Sequence, residues 1–446
     1  MQVVENQSAS VPRMTSFPVV IFRSASAIKK RAPVLHLGAG GPGAPMYLDE
    51  SWSVESLWTI HNAMSLAQGR DLLIIDPRGA GLSRPLLTCD QFVDSELKRF
   101  QQNLSISEEI KSIDDDYEAC IEKFISSGID FSSYNSHAVA DDIEALRQAD
   151  GVDQWVLVGV SYGASYAQAI ANKFPDSVES MILDSATMPR IGRHVNYLEL
   201  TMGPYLKLFQ YCAYDPECVQ PIKNIEARFW AIHERLNTDP ILVQFQTADG
   251  ADTIPVVLNG ERFLSAVLQG IYGVEIFKDL PHIISELETG KFTSLEPYLW
   301  LHVDYMLDRS YGDVSAIAHY CFEEKPFIDF EKIKPQIDNL PVGYIQDTAR
   351  LALGWTDYCE DMQLKNTASK PIPSNPIATP TLFLHGRFDT VTPLSSIVAG
   401  QDFFENSQLL TFDLSHSVLT SSKCAVAEAA RFIQDPLVFN NRANCE

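Results

Sequence analysis

Gln154-Trp155-Val156-Leu157-Val158-Gly159-Val160-Ser161-Tyr162-Gly163-Ala164-Ser165-Tyr166-Ala167 is the stretch on which the reading of this chain turns. Trp155–Val160 is an unbroken apolar run of strand length, and Ala164–Phe174 follows at once with a helical pattern. Between them stands Gly159-Val160-Ser161-Tyr162-Gly163, a Gly-x-Ser-x-Gly motif. A serine at such a strand-to-helix turn is held in a strained conformation, with its hydroxyl exposed above a sheet. The flanking glycines let the strand and helix backbones approach closely. The helix N-terminus aims N–H groups at developing negative charge. A chance match in a glycine- and serine-rich turn is the competing explanation, and the strand and helix on either side argue against it.

A serine hydroxyl needs a base to take its proton. On this kind of sheet the partners follow in the order serine, acid, histidine. Asp389 lies just past the strand-like run Thr381–His385, and His416 just past Gln408–Phe412. The order is therefore Ser161, Asp389, His416, with both partners at the C-terminal ends of strands, where such sheets build their sites. Asp184 follows a strand too and is the second candidate acid. The His-Gly-x-x-Asp context favours Asp389 over it. His385 ends a strand and reads as structural, His36 as a core histidine, and Asp413 as either an orienting group or a solvent-facing one. Gly38-Ala39-Gly40-Gly41-Pro42-Gly43 follows Pro33–Leu37. Its glycines bring backbone close to a substrate carbonyl. The N–H of Gly41, or of Gly40, is expected to join that of Tyr162 as an oxyanion hole. The loop lacks the Gly-Lys-Ser/Thr of a phosphate-binding loop and the spacing of a dinucleotide fingerprint.

Other strand-like runs are Phe17–Arg23, Asp71–Ile75 and Val178–Leu183. Residues 136–149 and Ala425–Ile433 read as helices. Strands alternating with helices imply a mostly parallel sheet covered on both faces. From about Pro189 to Pro376 the pattern is mostly helical, with a local hairpin at Ile241–Gln246 and Thr253–Leu258. This interval reads as a cap inserted into the sheet domain. The division is 1–188 and 377–446 for the catalytic domain and 189–376 for the cap, with Pro371–Pro376 as the returning linker.

Hydrophobic residues make up 46% of the chain and charged residues 21%, a globular composition with no membrane-length apolar run. The net charge of −24 repels nucleic acid and anionic membranes, so neither is an expected partner. It also suits substrates that carry a free amino group. The eight cysteines form no Cys-x-x-Cys pair, which counts against zinc or a redox motif. No cofactor or metal is implied. An even, dispersed set of cysteines suggests disulfides and an oxidising compartment, with buried thiols in a cytosolic protein as the alternative. Met1-Gln2-Val3-Val4-Glu5 has no signal-peptide pattern. Removal of a signal ahead of this numbering, with a periplasmic or extracellular location, is the expectation, and a cytoplasmic location the alternative.

Taken together, these motifs resemble the prolyl aminopeptidase and tripeptidyl aminopeptidase family of α/β-hydrolase serine peptidases. Gly40-Gly41-Pro42-Gly43 resembles the end of that family's His-Gly-Gly-Pro-Gly, and Asp76-Pro77-Arg78-Gly79-Ala80-Gly81-Leu82-Ser83 its Asp-x-Arg-Gly-x-Gly-x-Ser. Tyr162 in the nucleophile motif and the region from Thr379 to Cys445 resemble the tripeptidyl branch. The resemblance implies the α/β-hydrolase fold and cleavage of short peptides at free N-termini through an acyl-enzyme. It also implies pairing of Cys89 with Cys120, Cys212 with Cys218, Cys321 with Cys359 and Cys424 with Cys445. Ala39 stands where the shorter enzymes carry histidine. The carboxylates that bind the substrate amine in the prolyl enzymes have no clear counterpart here. Glu199, Glu261, Glu323 and Glu324 are the cap carboxylates, and none is singled out. Arg78 reads as a brace for loops rather than a catalytic group. A carboxylesterase with the same three residues is the alternative activity. A binding protein without catalysis fits less well, because all three residues are present.

Overall fold

Side-chain parity along the run Trp155–Val160 explains both faces of the sheet. All six residues are buried. Trp155 and Leu157 enter one apolar cluster, and Val156 and Val158 enter another. A strand with two dry faces must lie between layers of helix. Each aliphatic side chain so buried contributes about 1.5–3 kcal/mol of transfer free energy.

The computed structural model describes residues 1–7, 9, 12–25, 31–38, 40–65, 68–188, 202–219, 223–246, 253–340, 355–364 and 375–437. The strands are β1 (Gln2–Val4), β2 (Met14–Ser16), β3 (Val19–Phe22), β4 (Val34–His36), β5 (Leu72–Ile75), β6 (Trp155–Val160), β7 (Val178–Asp184), β8 (Ile241–Gln246), β9 (Thr253–Leu258), β10 (Thr381–Gly386) and β11 (Ser407–Phe412). Seven of them form one sheet in the order β11-β10-β7-β6-β4-β5-β3. Only β3 runs antiparallel to its neighbour. The same parity holds across the sheet: Leu35, Leu73, Met181, Leu183 and Phe383 face one side, and Val34, Leu72, Ile182, Leu382 and Leu384 the other.

The first face is covered by α4 (Ser136–Asp150) and α5 (Gly163–Lys173), whose Val139, Ile143, Ala167 and Ile170 join its cluster. The second is covered by α1 (Ser51–Met64) and the C-terminal helix Lys423–Phe432, through Leu57, Met64, Ala429 and Phe432. Strands and helices expected from the sequence lie within about two residues of those observed. The antiparallel pair β1–β2 was not expected; three-residue strands are too short to show a period in the sequence.

Between β7 and β10 the described residues are mainly helical, and the two-stranded sheet β8–β9 matches the expected hairpin. The helices Ile225–Thr238, Gly260–Gly270 and Glu275–Glu288 close a separate apolar cluster around Phe229, Phe263 and Ile283. The start of this interval near residue 189 and most of the 371–376 linker lie outside the described residues. A fourth cluster joins α2 (Asp90–Arg99) and α3 (Ile106–Ser126) to the helix Asp313–Glu323.

Disulfides Cys89–Cys120, Cys212–Cys218 and Cys321–Cys359 are formed. The first and third lie in the cluster of α2, α3 and Asp313–Glu323. The fourth expected pair involves Cys445, which lies outside the described residues. Cross-linking residues 31 apart in sequence removes denatured-state entropy worth about 3–4 kcal/mol. The double variant Cys89→Ser, Cys120→Ser is predicted to lose about that much unfolding free energy in urea titration. An unchanged midpoint would show that this crosslink does not support the fold.

Candidate active site

Because β4, β6, β7, β10 and β11 are parallel, the segments leaving them all emerge on one edge of the sheet. Ser161 follows β6 in the left-handed region, at φ 53°. Its backbone is held on both sides: its N–H donates to Asp184 O at 2.9 Å, and its carbonyl accepts from Thr187 N–H at 3.2 Å. No side chain is tolerated at the flanking glycines. A Cβ on Gly159 would stand 2.5 Å from Gly163 O, and one on Gly163 would stand 2.4 Å from Gly38 O.

Asp389 is fully buried in the loop after β10. One carboxylate oxygen accepts the N–H groups of Val391 and Thr392, each at 2.9 Å. The other lies 2.9 Å from His416 Nδ1 and accepts Thr392 Oγ1–H at 2.8 Å. Burial works to raise the carboxyl's pKa. The charge and hydrogen bond of His416 outweigh it and hold the group at about 2.

Asp184, the second candidate acid, does something else. Its carboxylate accepts the N–H groups of Val418 at 3.0 Å and Leu419 at 2.8 Å, just beyond His416. Burial pushes it up to about 6, against those two bonds. Ser185 Oγ accepts the Ser417 N–H at 2.8 Å. The end of β7 therefore carries both Ser161 and the His416 loop. His416 also packs edge-on against Tyr272, with ring centroids 5.3 Å apart.

A cavity of about 270 Å³ opens at this edge. Ser161, Gly40, Gly41 and Tyr162 form its floor, Val391 and Thr392 one flank, and Tyr272, Tyr305, Tyr311, Tyr320, Glu323, Glu324 and Trp355 line it together with Met188, Thr187 and Ser396. Gly40 has φ 84°, and its carbonyl lies 3.3 Å from the N–H of Tyr162. The Tyr162 hydroxyl donates to Glu323 Oε2 at 2.6 Å. Glu323 also accepts from the N–H and Oγ–H of Ser136, at the start of α4. Burial raises its pKa and these donors oppose that.

The other described sequence candidates fall outside the chemistry. Glu261 is 3.1 Å from His233. Glu199 and Ala39 lie outside the described residues. His36 is buried 3.1 Å from His61, and burial lowers its pKa to about 4. Burial likewise lowers His385 to about 4. Asp413 pairs with Arg387 at the surface. Arg78 is a brace as expected: it grips Asp142 through two hydrogen bonds and donates to the carbonyls of Glu5 and Ser133. Thr392 was not foreseen. Its signal was the spacing Asp389-x-x-Thr392, which lets a threonine cap the turn its own aspartate makes. Among the described residues no three His, Cys, Asp or Glu side chains gather as a metal site requires, and no helix is long and apolar enough to cross a membrane.

Comparison with known proteins agrees with this architecture. Residues 36–208 match the α/β-hydrolase fold family, and residues 348–445 match the TAP-like protein family. The serine protease Hip1 of Mycobacterium tuberculosis is 25% identical over 426 residues, covering 88% of this chain and 77% of that one. Tripeptidyl aminopeptidase of Streptomyces coelicolor is 27% identical over 174 residues, 36% of this chain and 29% of that one. The solved structure of proline iminopeptidase from Mycobacterium smegmatis is 14% identical, with a TM-score of 0.43 over 95% of each chain. The protein is an α/β-hydrolase. Its relatives of similar sequence are serine peptidases, and its C-terminal end is similar to the TAP-like family.

Asp389 has an ordinary value of 3.8 and a folded value of about 2. A carboxyl depressed in this way stabilises the fold above the ordinary value, by about 2 kcal/mol at neutral pH, and the gain is lost as pH falls through the folded value. The gap in unfolding free energy between the protein and its Asp389→Asn variant is predicted to hold steady above pH ~5 and to narrow by about that amount on acidification toward pH ~2. Urea titrations across this range measure it. A gap that does not change with pH would contradict the assignment.

Proposed function

We propose that Ser161, His416 and Asp389 form a catalytic triad and that the protein is a serine aminopeptidase acting on short peptides with free N-termini. The observation that carries the triad is the Asp389 carboxylate on His416 Nδ1, with Ser161 held by the same β7 segment that holds the His416 loop. Asp389 keeps the imidazole in the tautomer whose Nε2 is free to accept a proton. His416 takes the Ser161 proton as Oγ attacks the scissile carbonyl, then delivers it to the leaving amine. The N–H groups of Gly41 and Tyr162 receive the oxyanion. For Tyr162 this requires substrate to replace the long contact with Gly40 O.

The aminopeptidase reading rests on the wall of the cavity. Among the described residues that line it, Glu323 and Glu324 are the acidic side chains, set beside Tyr272, Tyr305, Tyr311, Tyr320 and Trp355. Glu323 anchors Tyr162 and Ser136, and Glu324, which lines the cavity beside it, is the carboxylate assigned to the substrate's ammonium group. The interval between β7 and β10 acts as the cap that limits access to short chains, and the disulfides suit an extracellular or periplasmic enzyme.

Ser161→Ala is predicted to abolish hydrolysis of aminoacyl and peptidyl anilides while leaving the melting temperature unchanged. Retained turnover would refute the triad. Losing a charge-assisted contact of about 1.5–3 kcal/mol, Glu324→Gln is predicted to raise KM for substrates with a free amine by about 10- to 100-fold. N-acetylated analogues should be affected little. If the enzyme instead prefers simple acyl esters and Glu324→Gln treats both substrate types alike, it is a carboxylesterase.

A further inference from the structure

The wall of the cavity is fastened to its floor at one junction. The segment that leads into the helix Asp313–Glu323 lies against the two glycine-rich loops of the sheet domain. Gly312 N–H donates to Gly43 O at 2.8 Å, Gly81 N–H to Ser310 O at 2.9 Å, and Val314 N–H to Leu87 O at 3.0 Å. Thr88 Oγ1–H donates to Tyr311 O at 2.5 Å, and Cys89 N–H to Asp313 Oδ1 at 2.7 Å. The backbones meet without room for a side chain: a Cβ on Gly312 would stand 2.1 Å from Gly79 O, and one on Gly43 would stand 2.1 Å from Gly312 O.

This junction aims Tyr311 across the floor. Its hydroxyl comes so near Gly41 that a Cβ on that glycine would be 2.9 Å from it. Tyr311 also lines the cavity together with Ser161, Gly40 and Tyr162. The ring is steadied by Tyr305, with centroids 5.5 Å apart. Burial, then the neighbouring Tyr305 and a side-chain hydrogen bond with it, keep the phenol far above its ordinary pKa, so it stays protonated; donating to substrate requires it to exchange the Tyr305 bond. A donor held beside the place where charge develops lowers the barrier.

We propose that Tyr311 is a catalytic residue that donates a hydrogen bond to the oxyanion beside the N–H groups of Gly41 and Tyr162. The proposal rests on the reading of Ser161 as nucleophile. As the Ser161 Oγ–carbon bond forms, the carbonyl π pair moves onto oxygen and the serine proton passes to His416. Tyr311 hydrogen-bonds that oxygen and transfers no proton. A third donor accounts for a floor in which one backbone N–H, that of Tyr162, is already engaged with Gly40 O at 3.3 Å.

Tyr311→Phe removes the hydroxyl and keeps the ring. Removing one oxyanion donor typically costs about 100- to 1000-fold in kcat. The variant is expected to lose at least about tenfold in kcat on an aminoacyl anilide, with KM within about twofold and the melting temperature unchanged. It should also bind a peptide boronic acid, which forms a tetrahedral adduct on the serine, more weakly by a similar factor, with affinity for the product peptide unchanged. An unchanged kcat, or a rise in KM alone, overturns the assignment. Ser161→Ala run alongside separates the two failures. If that variant is dead while Tyr311→Phe is normal, only the Tyr311 role falls; if Ser161→Ala stays active, the nucleophile reading falls with it.

Discussion

The site depends on a single packing constraint, the close approach of three backbones at the turn after β6. The chain must leave a buried strand, pass through a left-handed serine and enter α5 within three residues. It can do so only because Gly159 and Gly163 leave space against each other and against Gly38. A methyl group at either glycine forces the turn open. The same approach sets the glycine-rich loop beside the serine, so the strain at Ser161 and the position of the proposed oxyanion donors have one cause.

The end of β7 is the second organising element. Asp184 and Ser185 hold the backbone of the His416 loop, while the Asp184 carbonyl and Thr187 hold Ser161. Two aspartates that hold one histidine and its loop thus diverge. Asp389 meets the imidazole and is driven down to about 2, and Asp184, buried against the backbone N–H groups of Val418 and Leu419, is driven up to about 6. The residue type is the same, and the neighbours decide whether it supports a charge or a loop.

Much of this was legible in the sequence because it is written in short-range patterns. Alternating apolar runs gave the strands of the sheet, and the strand–Gly-x-Ser-x-Gly–helix context located Ser161. The serine, acid, histidine order picked Asp389 over Asp184, and the structure places Asp389 on the imidazole. What escaped notice was long-range. Glu323 touches Tyr162 across 161 residues, and Tyr311 reaches Gly41 from a helix-rich interval with no motif. Glu323 carries no local sign of burial, since a glutamate in a helix is ordinarily solvated. Only the fold shows that its carboxylate is spent on Ser136 and Tyr162 while Glu324 lines the cavity beside it.

The meeting of Gly43, Gly79 and Gly312 has a consequence for how such an enzyme diversifies. Gly43 is confined to the smallest residue by the backbone of Gly312, Gly312 by that of Gly79, and Gly79 by the Ser315 side chain, so none can drift alone without prising wall from floor. The aromatic positions of the wall, Tyr320 and Trp355 among them, meet side chains instead of backbone. New substrate preferences can therefore arise by exchanging those side chains, while the junction keeps the reacting geometry in register.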